Sequence, residues 1–148
     1  MEISHDAIPA LVRPEGVLYE PYTVHDKLIH VSGQLPLRDG RPACTGIVPD
    51  QVSLDDAIEA ARLCALNVLG WAKIACEGDL NRIERCLRLG GFVQCSTGFA
   101  SVPQIINAAS KVMLDVLGPR AAHARVAIGV ASLPMAVPVE VEAIFVMK

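Results

Sequence analysis

The chain has 148 residues, of which 52% are hydrophobic and 20% are charged, and its formal net charge is -3. The high apolar content excludes an intrinsically disordered chain, and the acidic balance disfavours a protein whose main partner is a phosphate backbone. Globular chains carry about 25% charged residues on average, so few charges are available here to cover the surface. We therefore expect one domain spanning residues 1–148, with surplus apolar surface that another subunit covers.

Three features of the sequence indicate the cellular location of the protein: the N-terminus, the longest uncharged stretch and the cysteines. Residues 1–11 lack a basic segment followed by an apolar run, so no secretory signal is predicted. The stretch Leu89–Ser110 has no charged residue, but its glycines, proline and polar side chains exclude a membrane span. The five cysteines include no CxxC pair, a pattern typical of reduced thiols rather than of disulfides or a zinc site. These features predict a cytoplasmic protein that does not act at a membrane and holds no metal ion.

The first half of the chain predicts a strand followed by a long helix. Leu28–Leu35 is a short, mostly apolar run around Ser32-Gly33-Gln34, as expected of a strand. The sequence Ser53-Leu54-Asp55-Asp56 resembles a capping box with Asp in place of Glu, and it marks the start of a helix. Apolar residues recur after it at helical spacing. The helix is predicted to run to about Cys76 and to stop at Gly78.

The second half predicts a strand, a second helix and two further strands. Ile83–Val93 interleaves polar and apolar residues, and Gly90-Gly91 within it indicates a bulge or the close approach of another backbone. A helix is expected to begin near Pro103 and to end at Gly118-Pro119, since proline is accepted in a first turn. Two β-rich segments follow and are predicted to be antiparallel neighbours: Arg125–Leu133 and Val137–Val146. This order predicts an α+β sheet with its helices on one face and a subunit against the other.

Three charged residues stand out among the apolar residues of the last two predicted strands: Arg125, Glu140 and Glu142. One interpretation is a salt bridge between Arg125 and a glutamate at a sheet edge. The other is an anion pocket, in which the planar guanidinium binds a carboxylate and a nearby glutamate holds or activates a water molecule. The spacing alone does not choose between them.

Several motifs together resemble those of one protein family. The runs His123–Pro134 (HARVAIGVASLP) and Val139–Ala143 (VEVEA) are similar to the C-terminal signature of the RidA/YjgF family. Upstream, Pro21-Tyr22, Val31–Pro36 and Asn107 match further motifs of the family in the same order. The resemblance implies a chorismate-mutase-like (YjgF-like) α+β fold, with a mixed sheet and two helices on one face. It also implies a homotrimer whose sheets form a central barrel, three pockets between subunits, and no metal or organic cofactor.

The resemblance further implies the residues of the pocket. Arg125 matches the arginine that holds the substrate carboxylate, and Glu140 matches the acidic residue that places the attacking water. Tyr22 is expected to line the pocket from the neighbouring subunit. The other matches are substrate-binding positions on the strands and on the second helix: Ser32, Gly33, Asn107 and Ala127.

Active members of the family hydrolyse reactive 2-imino or enamine acids to 2-keto acids and ammonia, so the resemblance implies this reaction for a small carboxylate-bearing substrate. The chain departs from the family at His123, Val126 and Ser110, which makes it similar to a divergent, chorismate-mutase-like branch with a different pocket wall. Two alternatives are a non-catalytic trimer that binds small carboxylates and a chorismate-mutase-like enzyme. A ribonuclease is disfavoured by the acidic charge and by the lack of a basic patch with interleaved aromatic residues.

Overall fold

The computed structural model describes residues 3–148, which form a mixed sheet with two helices packed on one of its faces. The helices are α1 (Leu54–Ala75) and α2 (Val102–Leu117). The strands, in chain order, are β1 (Tyr22–His25), β2 (Leu28–Gln34), β3 (Leu37–Arg38), β4 (Arg41–Pro42), β5 (Ile83–Gln94), β6 (Ala124–Val130) and β7 (Val139–Met147). β3 and β4 form a small separate hairpin, and the other five strands pair in the order β1-β2-β7-β5-β6. The α+β fold with its helices on one face is thus confirmed.

Helix α1 begins as its sequence predicts. The Ser53 hydroxyl oxygen accepts a hydrogen bond from the backbone N–H of Asp56 at 3.1 Å, and the hydroxyl donates to the Asp56 carboxylate at 2.7 Å. Asp55 and Asp56 lie in the first turn, where negative charge is favourable. Small residues on the buried face let α1 lie close to the sheet and to α2: Ala57, Ala60, Ala61, Ala65 and Ala72. Local sequence therefore accounts for both the start and the buried face of this helix.

The prediction that the last two strands are neighbours is wrong. Strand β5 lies between β6 and β7, and it runs parallel to β6 and antiparallel to β7. The connection from β6 to β7 crosses the end of β5, where the buried Gln94 holds it. The Gln94 side-chain oxygen accepts from the backbone N–H of Leu133 at 2.9 Å, and the Gln94 backbone N–H donates to the Pro138 carbonyl at 2.9 Å. Residue alternation shows which face of a strand is buried and not which strand lies beside it.

The paired glycines of β5 do not mark a bulge. The register shifts between β5 and β7 lie before Gly90, at or ahead of Arg88. A Cβ atom on Gly91 would lie 2.5 Å from the Ile106 side chain of α2, and a Cβ atom on Gly90 would lie 2.7 Å from Cγ of Glu142. The glycines therefore make room for two side chains, and the close approach is made by those side chains rather than by another backbone.

The core fills the space between the helices and the sheet, with Phe145, Leu69 and Ile105 among its largest fully buried side chains. The five cysteines are free thiols. Burial raises the pKa of Cys86 to about 12 and also raises the pKa of Cys64, so these thiols stay protonated. Neither helix of residues 3–148 combines the length and the apolar character of a membrane span. The same residues contain no group of three potential metal ligands.

The face of the sheet opposite the helices has no covering layer within residues 3–148. Along β7, Val141 and Phe145 are buried on the helix side, while the alternate residues Glu140, Glu142 and Ile144 point to the other face and are partly exposed. On β6 the side chain of Ile128 is 45% exposed. We refer to this side as the open face.

Candidate functional site

Arg125 lies on the edge strand β6 and points to the helix side of the sheet, where it is paired with the buried Leu89. Asn107 and Ser110 face it from α2, one helical turn apart. Nη1 of Arg125 donates to Oδ1 of Asn107 at 2.8 Å and to Oγ of Ser110 at 3.1 Å. Within residues 3–148 no carboxylate forms an ion pair with Arg125, so the salt-bridge interpretation does not hold in this chain.

His123 extends this group of side chains. Its Nε2 lies 3.0 Å from Oγ of Ser110, and its Nδ1 lies 2.5 Å from the carbonyl oxygen of Ala121. A hydrogen-bonded chain thus runs from Arg125 through Ser110 to His123, and all three side chains are partly buried. We call Arg125, Asn107, Ser110 and His123 the arginine cluster.

Ala127 lies two residues after Arg125 on β6, on the same face of the sheet. It is paired with Gly91 and packs against the core. Its backbone therefore lies beside the arginine cluster. That Ala127 binds substrate stays a prediction.

Glu140 belongs to a second group, on the open face of β7. Its carboxylate lies directly over Gly33 of β2, where a Cβ atom would be 1.9 Å from Oε1. Burial raises the pKa of Glu140, and the negative charge of Glu142, two residues along the same face, raises it further. A carboxyl group with a raised pKa is a good candidate for general acid and base chemistry near neutral pH.

Ser32 precedes Gly33 on β2, and Tyr22 lies on the neighbouring strand β1, where it is paired with Val31. The Ser32 hydroxyl donates to the carbonyl oxygen of Glu20 at 2.6 Å, so it fixes the backbone that leads into β1. The ring of Tyr22 packs against Trp71 of α1, with the ring centroids 6.2 Å apart, and the side chain is partly exposed. The Tyr22 ring thus lies on the helix side of the sheet, whereas Glu140 lies on the open face. We call Ser32, Gly33 and Glu140 the glutamate group.

The arginine cluster and the glutamate group do not meet within one chain. Arg125 on β6 is paired with Leu89 on β5, and Leu89 is paired with Ala143 on β7. Ala143 is thus two strands away from Arg125, and it lies three residues from Glu140 along β7. Standard sheet spacings place the two Cα atoms about 14 Å apart. The two side chains also point to opposite faces, because Arg125 faces the helices and Glu140 faces away from them. Tyr22 is farther still, on the opposite edge strand.

The comparison with known proteins identifies the family. Residues 8–144 match the family model described as "YjgF/chorismate mutase-like, putative endoribonuclease". The chain belongs to the RidA/YjgF family. It is 38% identical over 138 residues to the protein TCP17 of Trypanosoma cruzi, which covers 93% of this chain and 85% of that protein.

Two solved structures agree with the fold. The protein Atu1372 of Agrobacterium tumefaciens is 42% identical and has a TM-score of 0.87, with coverage of 90% of this chain and 85% of that one. The Escherichia coli protein TdcF, solved with bound serine, is 21% identical and has a TM-score of 0.65 over 100% of this chain and 99% of that one. This chain therefore shares its fold with both structures over 90% or more of its length.

Ser110 and His123 are the two members of the arginine cluster that the family motifs do not supply. They stand out in the sequence only as departures from the RidA/YjgF pattern. Two signals were available: Ser110 follows Asn107 by one helical turn, and His123 precedes Arg125 by two residues on an extended segment. Neither signal reveals that the two side chains meet each other, because helix and strand are brought together only by packing.

Substituting Gly33 by Ala tests how closely Glu140 is held. The added Cβ atom would collide with Oε1 of Glu140, and the flexible carboxylate would swing away while the backbone stays in place. We expect an unchanged melting temperature and a loss of about 10²-fold in kcat for the reaction proposed below, because a shift of about 1 Å in a catalytic group costs this much. Steady-state kinetics and thermal unfolding measure the two effects. An unchanged kcat would show that the position of Glu140 over Gly33 is unimportant.

Proposed function

We propose that this protein is a deaminase of 2-imino and enamine acids that needs no cofactor. Water adds to the C=N carbon of the imino acid, and the tetrahedral adduct gains a proton at nitrogen. The C–N bond then breaks with its electron pair on nitrogen while the new hydroxyl group loses its proton, which leaves a 2-keto acid and ammonia. An enamine follows the same route after a proton adds at carbon and converts it to the imine. Each turnover consumes one water molecule and transfers no electrons to or from the protein.

The observation that carries the proposal is the state of Arg125. Its guanidinium is held by two neutral oxygens, those of Asn107 and Ser110, and by no carboxylate of residues 3–148. A partly buried arginine that the protein leaves without a counter-ion is suited to bind an anionic ligand. Its planar fork matches a carboxylate, which every 2-imino acid carries. Arg125 thus has the role of substrate clamp.

Glu140 has the role of general base in this proposal. Its raised pKa makes it a stronger proton acceptor than an ordinary glutamate. It would take the proton of the attacking water and pass it on to the departing nitrogen. Ser32 and Gly33 supply the strand along which the substrate lies, and Tyr22 closes one side.

A single chain holds the two groups about 14 Å apart, so the site is proposed to form between subunits. The arginine cluster lies at the β6 edge of the sheet, and the glutamate group lies toward the β1 edge. In a head-to-tail association, the β6 edge of one copy meets the β1 edge of the next copy. Such an assembly closes into a ring when the rotation between neighbouring copies is a whole fraction of a full turn. We propose the homotrimer implied by the family resemblance, with the open faces turned inward.

Two further facts support the proposal. TdcF, which shares the fold, binds serine, and serine carries the same carboxylate beside the reacting carbon as a 2-imino acid. The five free thiols suit a reducing compartment, so we place the reaction in the cytoplasm. The family description also names an endoribonuclease, but the net charge of -3 disfavours tight binding of a phosphate backbone.

The experiment supplies a 2-imino acid generated in situ by an amino-acid oxidase and measures ammonia release against spontaneous hydrolysis. We expect a clear acceleration that is proportional to protein concentration. No acceleration with several imino acids would overturn the proposal. Pyruvate binding without turnover would then favour a non-catalytic carboxylate binder. In parallel assays, turnover of chorismate would favour a chorismate-mutase-like enzyme, and cleavage of RNA would favour a ribonuclease.

The location of the site between subunits has its own test. Arg125→Ala and Glu140→Gln chains are mixed under conditions that exchange subunits. In a ring with head-to-tail contacts, about a quarter of the interfaces then combine an intact arginine cluster with an intact glutamate group. We expect about that fraction of wild-type activity to return, well above the residual activity of either variant alone. No recovery despite proven exchange, or a monomer as the active species, would contradict a site between subunits.

A further inference from the structure

The contacts within the arginine cluster support an inference that rests on the proposed function. We infer that Ser110 and His123 are positioning residues: they hold the Arg125 guanidinium so that its Nε–H and Nη2–H edge is presented to the ligand carboxylate. The hydrogen-bond directions, the count of donor hydrogens and the departures of this chain from its family lead to this assignment.

The directions of the hydrogen bonds follow from which groups donate. Arginine only donates, so Oγ of Ser110 accepts from Nη1 at 3.1 Å. The carbonyl of Ala121 only accepts, so Nδ1 of His123 carries a hydrogen. In the neutral imidazole Nε2 is then an acceptor, and it receives the Ser110 hydroxyl hydrogen across 3.0 Å. The His123 ring therefore turns the lone pairs of the Ser110 oxygen toward Arg125.

The count of hydrogens shows which edge of the guanidinium is left. Nη1 carries two hydrogens, and the oxygens of Asn107 and Ser110 are two acceptors for them. Nε and Nη2 have no hydrogen-bond partner within residues 3–148. These two nitrogens form one of the edges through which arginine binds a carboxylate with two parallel hydrogen bonds. The substrate class is thus a small acid bound through one carboxylate, side-on to the guanidinium.

The assignment changes the predicted role of Asn107. Its Oδ1 accepts a hydrogen bond from Arg125, so this oxygen orients the clamp. The Asn107 amide nitrogen remains a donor on the exposed side of the helix. Ser110 and His123 occur where the RidA/YjgF pattern has other residues, so this chain orients the arginine by a hydrogen-bonded pair of its own.

Two substitutions of His123 separate positioning from packing. In His123→Gln the side-chain Oε1 reaches the place of Nε2 and still accepts from the Ser110 hydroxyl. In His123→Asn the amide nitrogen replaces Nδ1 and still donates to Ala121, but nothing accepts from Ser110. His123→Gln keeps the hydrogen bond from the Ser110 hydroxyl, which orients Arg125. His123→Asn keeps only the hydrogen bond to the Ala121 carbonyl.

The readouts are the Kd of pyruvate, measured by calorimetry, together with KM and kcat for an imino acid and the melting temperature. The carboxylate does not change during the reaction, so loss of orientation weakens ground-state and transition-state binding equally. We expect His123→Asn and Ser110→Ala to raise Kd and KM about fivefold, the equivalent of one neutral hydrogen bond, with kcat within about twofold of wild type. His123→Gln is expected to bind pyruvate like the wild type.

Two results would overturn the inference alone. One is wild-type affinity in His123→Asn and Ser110→Ala while Arg125→Ala abolishes pyruvate binding. The other is an equal loss in His123→Gln and His123→Asn that follows a drop in melting temperature, since that pattern marks a structural imidazole. Normal pyruvate binding by Arg125→Ala would instead overturn the proposed clamp and this inference together. If His123→Asn does not fold, Ser110→Ala with the same readouts decides.

Discussion

Replacing Arg125 by Ala is expected to lower kcat/KM for 2-imino acids about 10²-fold or more. The substitution removes two hydrogen bonds between charged groups, each worth about 1.5–3 kcal/mol, and every 1.4 kcal/mol is tenfold. The loss falls mainly on KM, because the carboxylate is bound equally in the ground state and in the transition state. Steady-state kinetics over a range of imino-acid concentrations that reaches saturation measure both parameters.

The controls separate the shape of the arginine from its charge. Arg125→Lys keeps the charge but lacks the planar fork, so it is expected to recover only a small part of the activity. Arg41→Ala removes one positive charge from an exposed position on β4 and is expected to be fully active. Activity of Arg125→Ala equal to that of Arg41→Ala would contradict the role of the clamp.

Replacing Glu140 by Gln is expected to lower kcat by about 10²- to 10⁴-fold while KM changes little. General base catalysis contributes about this factor, and the amide keeps the shape of the carboxylate but cannot accept the proton of water. Because the pKa of Glu140 is raised, wild-type activity is expected to fall on the acidic side at a higher pH than for an ordinary glutamate. A pH profile of kcat/KM measures this acidic limb, the pH range over which activity falls.

Glu142→Gln provides the matched control for the pH profile. The negative charge of Glu142 is one cause of the raised pKa of Glu140, and burial is the larger cause. Removing that charge is expected to move the acidic limb toward lower pH without abolishing activity. An acidic limb that stays in place in Glu142→Gln, or that persists in residual activity of Glu140→Gln, would assign the limb to another group.

The carboxyl group of Glu140 is also expected to affect the stability of the folded chain. At a pH below the ordinary range of glutamate, the folded and unfolded chains both bind the proton, so Glu140 contributes no difference. As the pH rises through that range, ionisation is penalised only in the folded chain, where burial raises the pKa of Glu140. Glu140→Gln is therefore expected to melt at a higher temperature than the wild type at neutral pH, and at the same temperature near pH 3. Equal melting temperatures at both pH values would contradict the burial of this carboxyl group.

The sequence predicted both helices and four of the five strands of the main sheet, but it did not predict β1 or the hairpin of β3 and β4. Ser53 and the acidic first turn mark the start of α1 because capping depends on residues only three apart. The alternation of Glu140 and Glu142 with buried valines fixes which side of β7 faces the helices. The family motifs likewise predict Arg125 and Glu140 as site residues, since those motifs are contiguous in the chain. All of these are local signals.

Only the tertiary structure decided how these elements meet. The order of strands places β5 between β6 and β7, which puts Arg125 and Glu140 on separate strands and on opposite faces of the sheet. The contact of Ser110 with His123 and Arg125 depends on the packing of α2 against β6. Hydrophobic burial sets the face of each element but is not directional, so it leaves the choice of neighbouring strands to the whole set of long-range contacts. For this reason the sequence alone predicted Arg125 and Glu140 as site residues, whereas the fold shows that one chain carries them in two separate groups.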